Sequence, residues 1–260
     1  MAMLSARLAG DKSLIGMFCG IGSSGLVEIL GTVGYDFAII DCQHGVTDPL
    51  GQALWDQIRT CLSVDLSPVV RVANNDRGQI LKALDFGAHA VVVPQVRTAD
   101  DARFAVESAH YAPIGSRSCC PGLRGTNYSP AEFPAQMRRT STEPSLLLLI
   151  EDVEGVENAE EIASVPGVAG LFFGPFDLSV ALGVPPGDPS IQQNREKVYA
   201  AAKRHNLLIG DFPWDAQAAQ PMVRAGARLI GVGIDNVLFA NAARGVLEDI
   251  RAPLAALAAR

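Results

Sequence analysis

Short apolar runs alternate with amphipathic stretches along nearly the whole chain. The runs at 14–19, 37–40, 67–71, 90–93, 146–151, 170–173, 207–210 and 229–232 are rich in Val, Ile, Leu and Phe and read as buried strands. Between them, apolar positions recur at helical spacing. Gly22-Ser23-Ser24-Gly25 opens a helix to about Val33, and Thr47-Asp48-Pro49 opens one over 50–62. Asn75-Asp76 caps a helix to about Phe86, and Thr98 with Asp100 and Asp101 caps one to about His110. Further helices are expected over 156–163, up to about His205, over 215–225, and from about Val237, with Ala252–Arg260 extending the last one or packing on a partner. The rhythm breaks over 112–145, where Pro113, Pro121, Pro130, Pro134 and Pro144 deny a continuous helix and predict a functional loop or an interface arm, and a second Pro-rich loop spans Val184–Pro189.

Eight strand–helix units with apolar strands suit a parallel sheet buried on both faces. A (β/α)8 TIM barrel in one domain over 1–260 is the economical fold, and 260 residues is an ordinary length for it. An open doubly wound sheet is the alternative, but the chain shows no break into two halves.

Composition narrows the function. Hydrophobic residues at 48% and charged residues at 19% describe a globular chain, and neither a bilayer-spanning run nor a secretory leader is seen, so a cytoplasmic protein is expected. A net charge of −7 without clustered Lys and Arg argues against nucleic acid or an anionic membrane as partner and leaves a small anionic substrate open. Five cysteines without CxxC spacing suggest neither a disulfide framework nor a zinc knot, and Cys119 and Cys120 read as free thiols.

In such a barrel the active site lies at the C-terminal ends of the strands, where this chain places Asp41, His44, Arg71, Glu151, Asp177 and Asp235. Asp41 and His44 fit a carboxylate–imidazole pair acting as a general base; they also fit a turn cap and a solvated loop histidine. Glu151 and Asp177 fit a hard, oxygen-only site for Mg²⁺ or Mn²⁺; they also fit a Glu–Arg pair and a cap before Leu178. Arg71 offers a charged fork to a carboxylate or an enolate oxygen, or it neutralises Asp41 or Asp85. None of the four lysines (Lys12, Lys82, Lys197, Lys203) falls at a strand's C-terminal end, which disfavours Schiff-base chemistry, and His89, His110 and His205 sit where structural histidines do.

The segments 34–44 (GYDFAIIDCQH), 68–71 (PVVR), 93–96 (VPQV), 150–151 (IE), 174–179 (GPFDLS) and 232–235 (VGID) resemble the HpcH/HpaI class II pyruvate aldolases, over nearly the whole chain. The resemblance implies a divalent metal (Mg²⁺, Mn²⁺ or Co²⁺) on Glu151 and Asp177, an Asp41–His44 base, and Arg71 on the carbonyl of a 2-oxo acid. It also implies Asp85 supporting a neighbouring subunit's site and backbone amides of Gly174, Phe176 and Asp177 on the substrate carboxylate. The implied activity joins pyruvate or hydroxypyruvate to an aldehyde, or reverses that step. The implied assembly is a homohexamer, a trimer of dimers exchanging their last helices. This chain departs at Gln43, expected at the substrate site, where the family's loop carries Glu, and over 116–124 (SRSCCPGLR), where the family continues Arg-Gly-Val. Rival functions are an acyl-CoA thioester lyase of the citrate lyase β type, which lacks the Asp-x-x-His element, and a barrel that serves as a non-catalytic scaffold.

Overall fold

Strands β1 (Leu14–Cys19), β2 (Phe37–Asp41), β3 (Ser67–Arg71), β4 (Ala90–Val93), β5 (Leu146–Ile150), β6 (Gly170–Phe173), β7 (Leu208–Asp211) and β8 (Leu229–Ile234) pair in parallel and in sequence order, and β8 returns to β1 to close the barrel. The computed structural model describes residues 3–10, 12–124, 128–140, 143 and 146–258. Because side chains alternate along a strand, each apolar run fills two compartments. Phe37, Ile39, Val69, Val92, Leu147, Leu149 and Phe172 fill the barrel interior, while Ala38, Ile40, Val70, Val91, Leu148 and Ile150 pack under the helices. Interior phenylalanines are accommodated by facing glycines: a Cβ on Gly210 would stand 2.2 Å from the Phe172 ring.

Several helix boundaries differ from those the sequence predicts. The helix expected from residue 50 spans Gln52–Ser63, because Asp48 accepts from the Leu50 amide and buried Thr47 is held by Gln57, which keeps the preceding segment a turn. The helix expected over 156–163 is two short ones, Val153–Glu157, capped by Asp152, and Ala159–Ala163, broken at Asn158. A short helix, Leu4–Arg7, sends Leu4 into the interior cluster and was not expected. Within 112–145, a helix at Phe133–Thr140 follows a 3-10 turn at Pro130–Glu132; the prolines stand at or near its start, where a missing N–H costs least. The parts of the expected loop at 125–127, 141–142 and 144–145 lie outside the described residues, as do residues 259–260 of the last helix, Asp235–Ala258. Among the described residues no helix is long and apolar enough to cross a membrane.

Candidate active site

A cavity of about 440 Å³ opens at the C-terminal ends of the strands, and Asp41, His44, Arg71, Glu151, Gly174, Phe176 and Asp177 line it. Strand parity explains the charged set. Counting in twos from the interior residues Phe37 and Ile39 reaches Asp41, from Val69 reaches Arg71, and from Leu147 and Leu149 reaches Glu151. The β2–β3 register sets Asp41 directly beside Arg71. Arg71 Nε donates to Asp41 Oδ1 at 2.9 Å and Nη2 donates to Oδ2 at 2.7 Å, a two-pronged pair. The backbone N–H groups of Gln43 and His44 donate to the same Oδ1. Burial works against an ionised Asp41, but the guanidinium and the two amides outweigh it and hold its carboxyl below the usual range.

The carboxylate–imidazole pair expected from the sequence is therefore not formed. Asp41 spends its oxygens on Arg71 and on the turn that follows, while the exposed His44 ring makes no hydrogen bond among the described residues. Two further expectations are corrected. The Gly174 N–H already donates to Ile150 O at 2.9 Å, which leaves the first-turn amides of Phe176 and Asp177 as the donors at that helix start. Gln43 does not line the cavity; its Oε1 is buried without a hydrogen-bond partner. Asp85 also stands outside this chain's cavity, paired with buried Arg117 at 2.7 Å.

Glu151 is 3% exposed and accepts from the Gln95 amide at 2.8 Å. Burial, reinforced by the neighbouring charge of Asp177, pushes its carboxyl up to about 7, against the pull of that amide and of Arg71. The two carboxyls are near enough for each to raise the cost of ionising the other. Acids this close must share a proton or a cation, and an all-oxygen donor pair suits a hard divalent ion with water or substrate completing its shell. Gly174 permits the approach: a Cβ there would lie 2.6 Å from Glu151 Cβ.

Residues 14–242 match the family described as HpcH/HpaI aldolase/citrate lyase. The chain belongs to that family. It is 33% identical to a pyruvate aldolase of Rhizobium etli, over 90% of this chain and 92% of that one. It is 33% identical to a 2-keto-3-deoxy-L-rhamnonate aldolase of Klebsiella pneumoniae, over 90% and 88%. Among solved structures, an HpcH/HpaI aldolase/citrate lyase family protein from Burkholderia cenocepacia superposes with a TM-score of 0.85 at 31% identity, covering 94% of this chain and 96% of that one. The HpcH/HpaI chain described above is thus an enzyme of a carbon–carbon lyase family.

Two more strand-end acids of this family member, Asp235, which the sequence marks, and Asp211, which it does not, serve the framework. Asp235 accepts from the amides of Gly20, Ile21 and Asn236, so it ties the end of β8 to the loop after β1. Asp211, at the end of β7, falls on the opposite parity to Phe212 and points away from the cavity. There it accepts from Arg195 Nε at 2.8 Å, Tyr199 OH at 2.7 Å and the Phe212 N–H at 2.7 Å. Burial pushes its carboxyl up, opposed by these donors. Asp211→Ala leaves Arg195 unpaired at 12% side-chain exposure, and the expected loss of stability is about 3–5 kcal/mol, read as a lowered midpoint of urea unfolding. His89, His110 and His205 lie outside the cavity, His110 on Gly167 O and His205 on Glu160.

Proposed function

We propose that the enzyme is a divalent-cation-dependent aldolase that makes or breaks the bond between a pyruvate-type 2-oxo acid, pyruvate or hydroxypyruvate, and an aldehyde. The observation that carries this reading is one cavity holding both the buried Glu151–Asp177 acid pair and the Arg71 fork. Glu151 and Asp177 would hold the cation, Mg²⁺, Mn²⁺ or Co²⁺, which supplies Lewis-acid polarisation of the 2-oxo acid when bound. Arg71, pinned by two donors to Asp41, presents its remaining N–H groups to the developing enolate oxygen. The Phe176 and Asp177 amides, with a helix start behind them, receive the substrate carboxylate. His44 exchanges the proton of the aldol hydroxyl, directly or through water, and Asp41 serves by orienting Arg71 and the backbone before His44.

The test is exchange of the pyruvate methyl protons in D₂O, followed by NMR, without any aldehyde. Exchange that depends on added cation is expected. Acyl-CoA thioester cleavage with no pyruvate exchange would instead assign the chain to the citrate lyase side of its family, and neither activity would leave a scaffold.

Assembly belongs to the same reading. Phe239, Val246, Ile250 and Leu254 recur at helical spacing on the last helix and are 69%, 61%, 55% and 58% exposed, an apolar face suited to a second copy of the chain. A homohexamer built as a trimer of dimers that exchange these helices is expected in solution. Replacing Phe239 and Ile250 together by Asp should dissociate it, as read by light scattering.

A further inference from the structure

The half of the cavity away from the acids is aromatic. Phe18 and Phe172 rise from the barrel interior with ring centroids 6.1 Å apart, and Phe18 meets Phe212 at 5.2 Å. Phe212 stands 5.4 Å from Phe176 and 5.1 Å from Trp214, and Phe176 stands 4.9 Å from Trp214, all edge to face. These rings brace one another, which fixes the wall's shape before any ligand arrives. Trp214 nevertheless remains 50% exposed at the cavity's rim, leaving indole surface uncovered.

Charge is distributed the opposite way. Among the described residues that line the cavity, Arg71 is the one arginine or lysine, and two of its donors are already committed to Asp41. The other formal charges are the acids Asp41, Glu151 and Asp177. A second carboxylate on an incoming aldehyde, once beyond the reacting centre, meets aromatic rings and, among this chain's described lining residues, no arginine or lysine besides Arg71. Desolvating it there is costly.

Resting on the aldolase reading above, we propose that the Phe176–Phe212–Trp214 wall selects the aldehyde partner, and that this partner carries an uncharged apolar or aromatic chain in preference to a terminal carboxylate. The indole of Trp214 covers the far end of that chain, and its open edge leaves room for length. Apolar contacts of this kind discriminate between acceptors by roughly ten- to two-hundredfold per group matched.

The experiment uses the full chain with Mn²⁺ and pyruvate and compares kcat/KM for benzaldehyde and hexanal with that for succinic semialdehyde. The apolar pair should exceed the carboxylate by at least tenfold. Trp214→Ala should lower the benzaldehyde-to-glycolaldehyde ratio of kcat/KM at least fivefold through KM for benzaldehyde, and Trp214→Phe, which keeps a ring, should restore most of it. Succinic semialdehyde as the best acceptor, or an equal loss for every aldehyde in Trp214→Ala with no recovery in Trp214→Phe, overturns the inference. Pyruvate methyl exchange separates the two levels: exchange alongside either of those results leaves the aldolase standing and removes only the acceptor wall, whereas no exchange removes both.

Discussion

Arg71→Lys lowers kcat/KM for pyruvate exchange about a hundredfold, about 2.7 kcal/mol of transition-state stabilisation. The substitution keeps one positive charge, so a site needing only charge would tolerate it. The geometry requires more. Arg71 spends Nε and one Nη on the two oxygens of Asp41, 2.9 and 2.7 Å away, and still has donors for the substrate. An ammonium has no fixed fork, so it can satisfy Asp41 or the enolate oxygen, and holding both in one geometry is beyond it. The Asp41 carboxylate keeps its bonds from the Gln43 and His44 amides, which lets the loop survive the change. Kinetics within threefold of the parent would reduce Arg71 to a structural partner of Asp41, and a melting curve run beside the assay shows whether lost activity is lost fold.

Excess EDTA abolishes turnover, and Mg²⁺, Mn²⁺ or Co²⁺ restores it. No lysine lines the cavity among the described residues to provide an electrophile in the cation's place. The companion variant, Glu151→Gln, should weaken cation binding at least a hundredfold by calorimetry while leaving the melting temperature unchanged or raised. The sign follows from the surroundings: a carboxyl pushed up to about 7 by burial and by Asp177 is a strained group without its cation, and an amide of the same shape relieves the like-charge contact. Full activity in EDTA, or native cation affinity in Glu151→Gln, would remove the pair from the chemistry.

Most strand positions were legible because a parallel barrel demands short runs apolar on both sides, and β3, β4 and β6 begin and end where the composition changes. Candidate acids and Arg71 were legible for the same reason, each standing where an apolar run gives way to charge. Which of them meet was open: neutralising Asp41 or Asp85 is one reading of Arg71 from the sequence, and the structure realises it with Asp41. The Asp41–Arg71 pair depends on the β2–β3 register, a relation between segments thirty residues apart that neither segment contains. Proximity in sequence pointed Asp41 at His44 instead, and the backbone turned that closeness into two amide bonds. Asp211 carries the same signature as Asp41 but faces the helices, since one residue of parity decides between cavity and shell. The aromatic wall is not legible in the sequence because its rings come from β1, β6, the segment after β7 and the first turn of the helix after β6, and a phenylalanine in an apolar run looks like any core residue.

The five thiols are free and sorted by depth: Cys19, Cys42 and Cys61 are buried, Cys119 and Cys120 exposed. Cys42 directly follows Asp41, and burial, helped by the charges of Asp41 and Asp48, pushes its thiol up to about 12. A thiol that does not ionise is a poor target for peroxide or alkylating reagents. Oxidants and maleimide labels are thereby directed away from Cys42, beside Asp41, and toward the exposed Cys119 and Cys120.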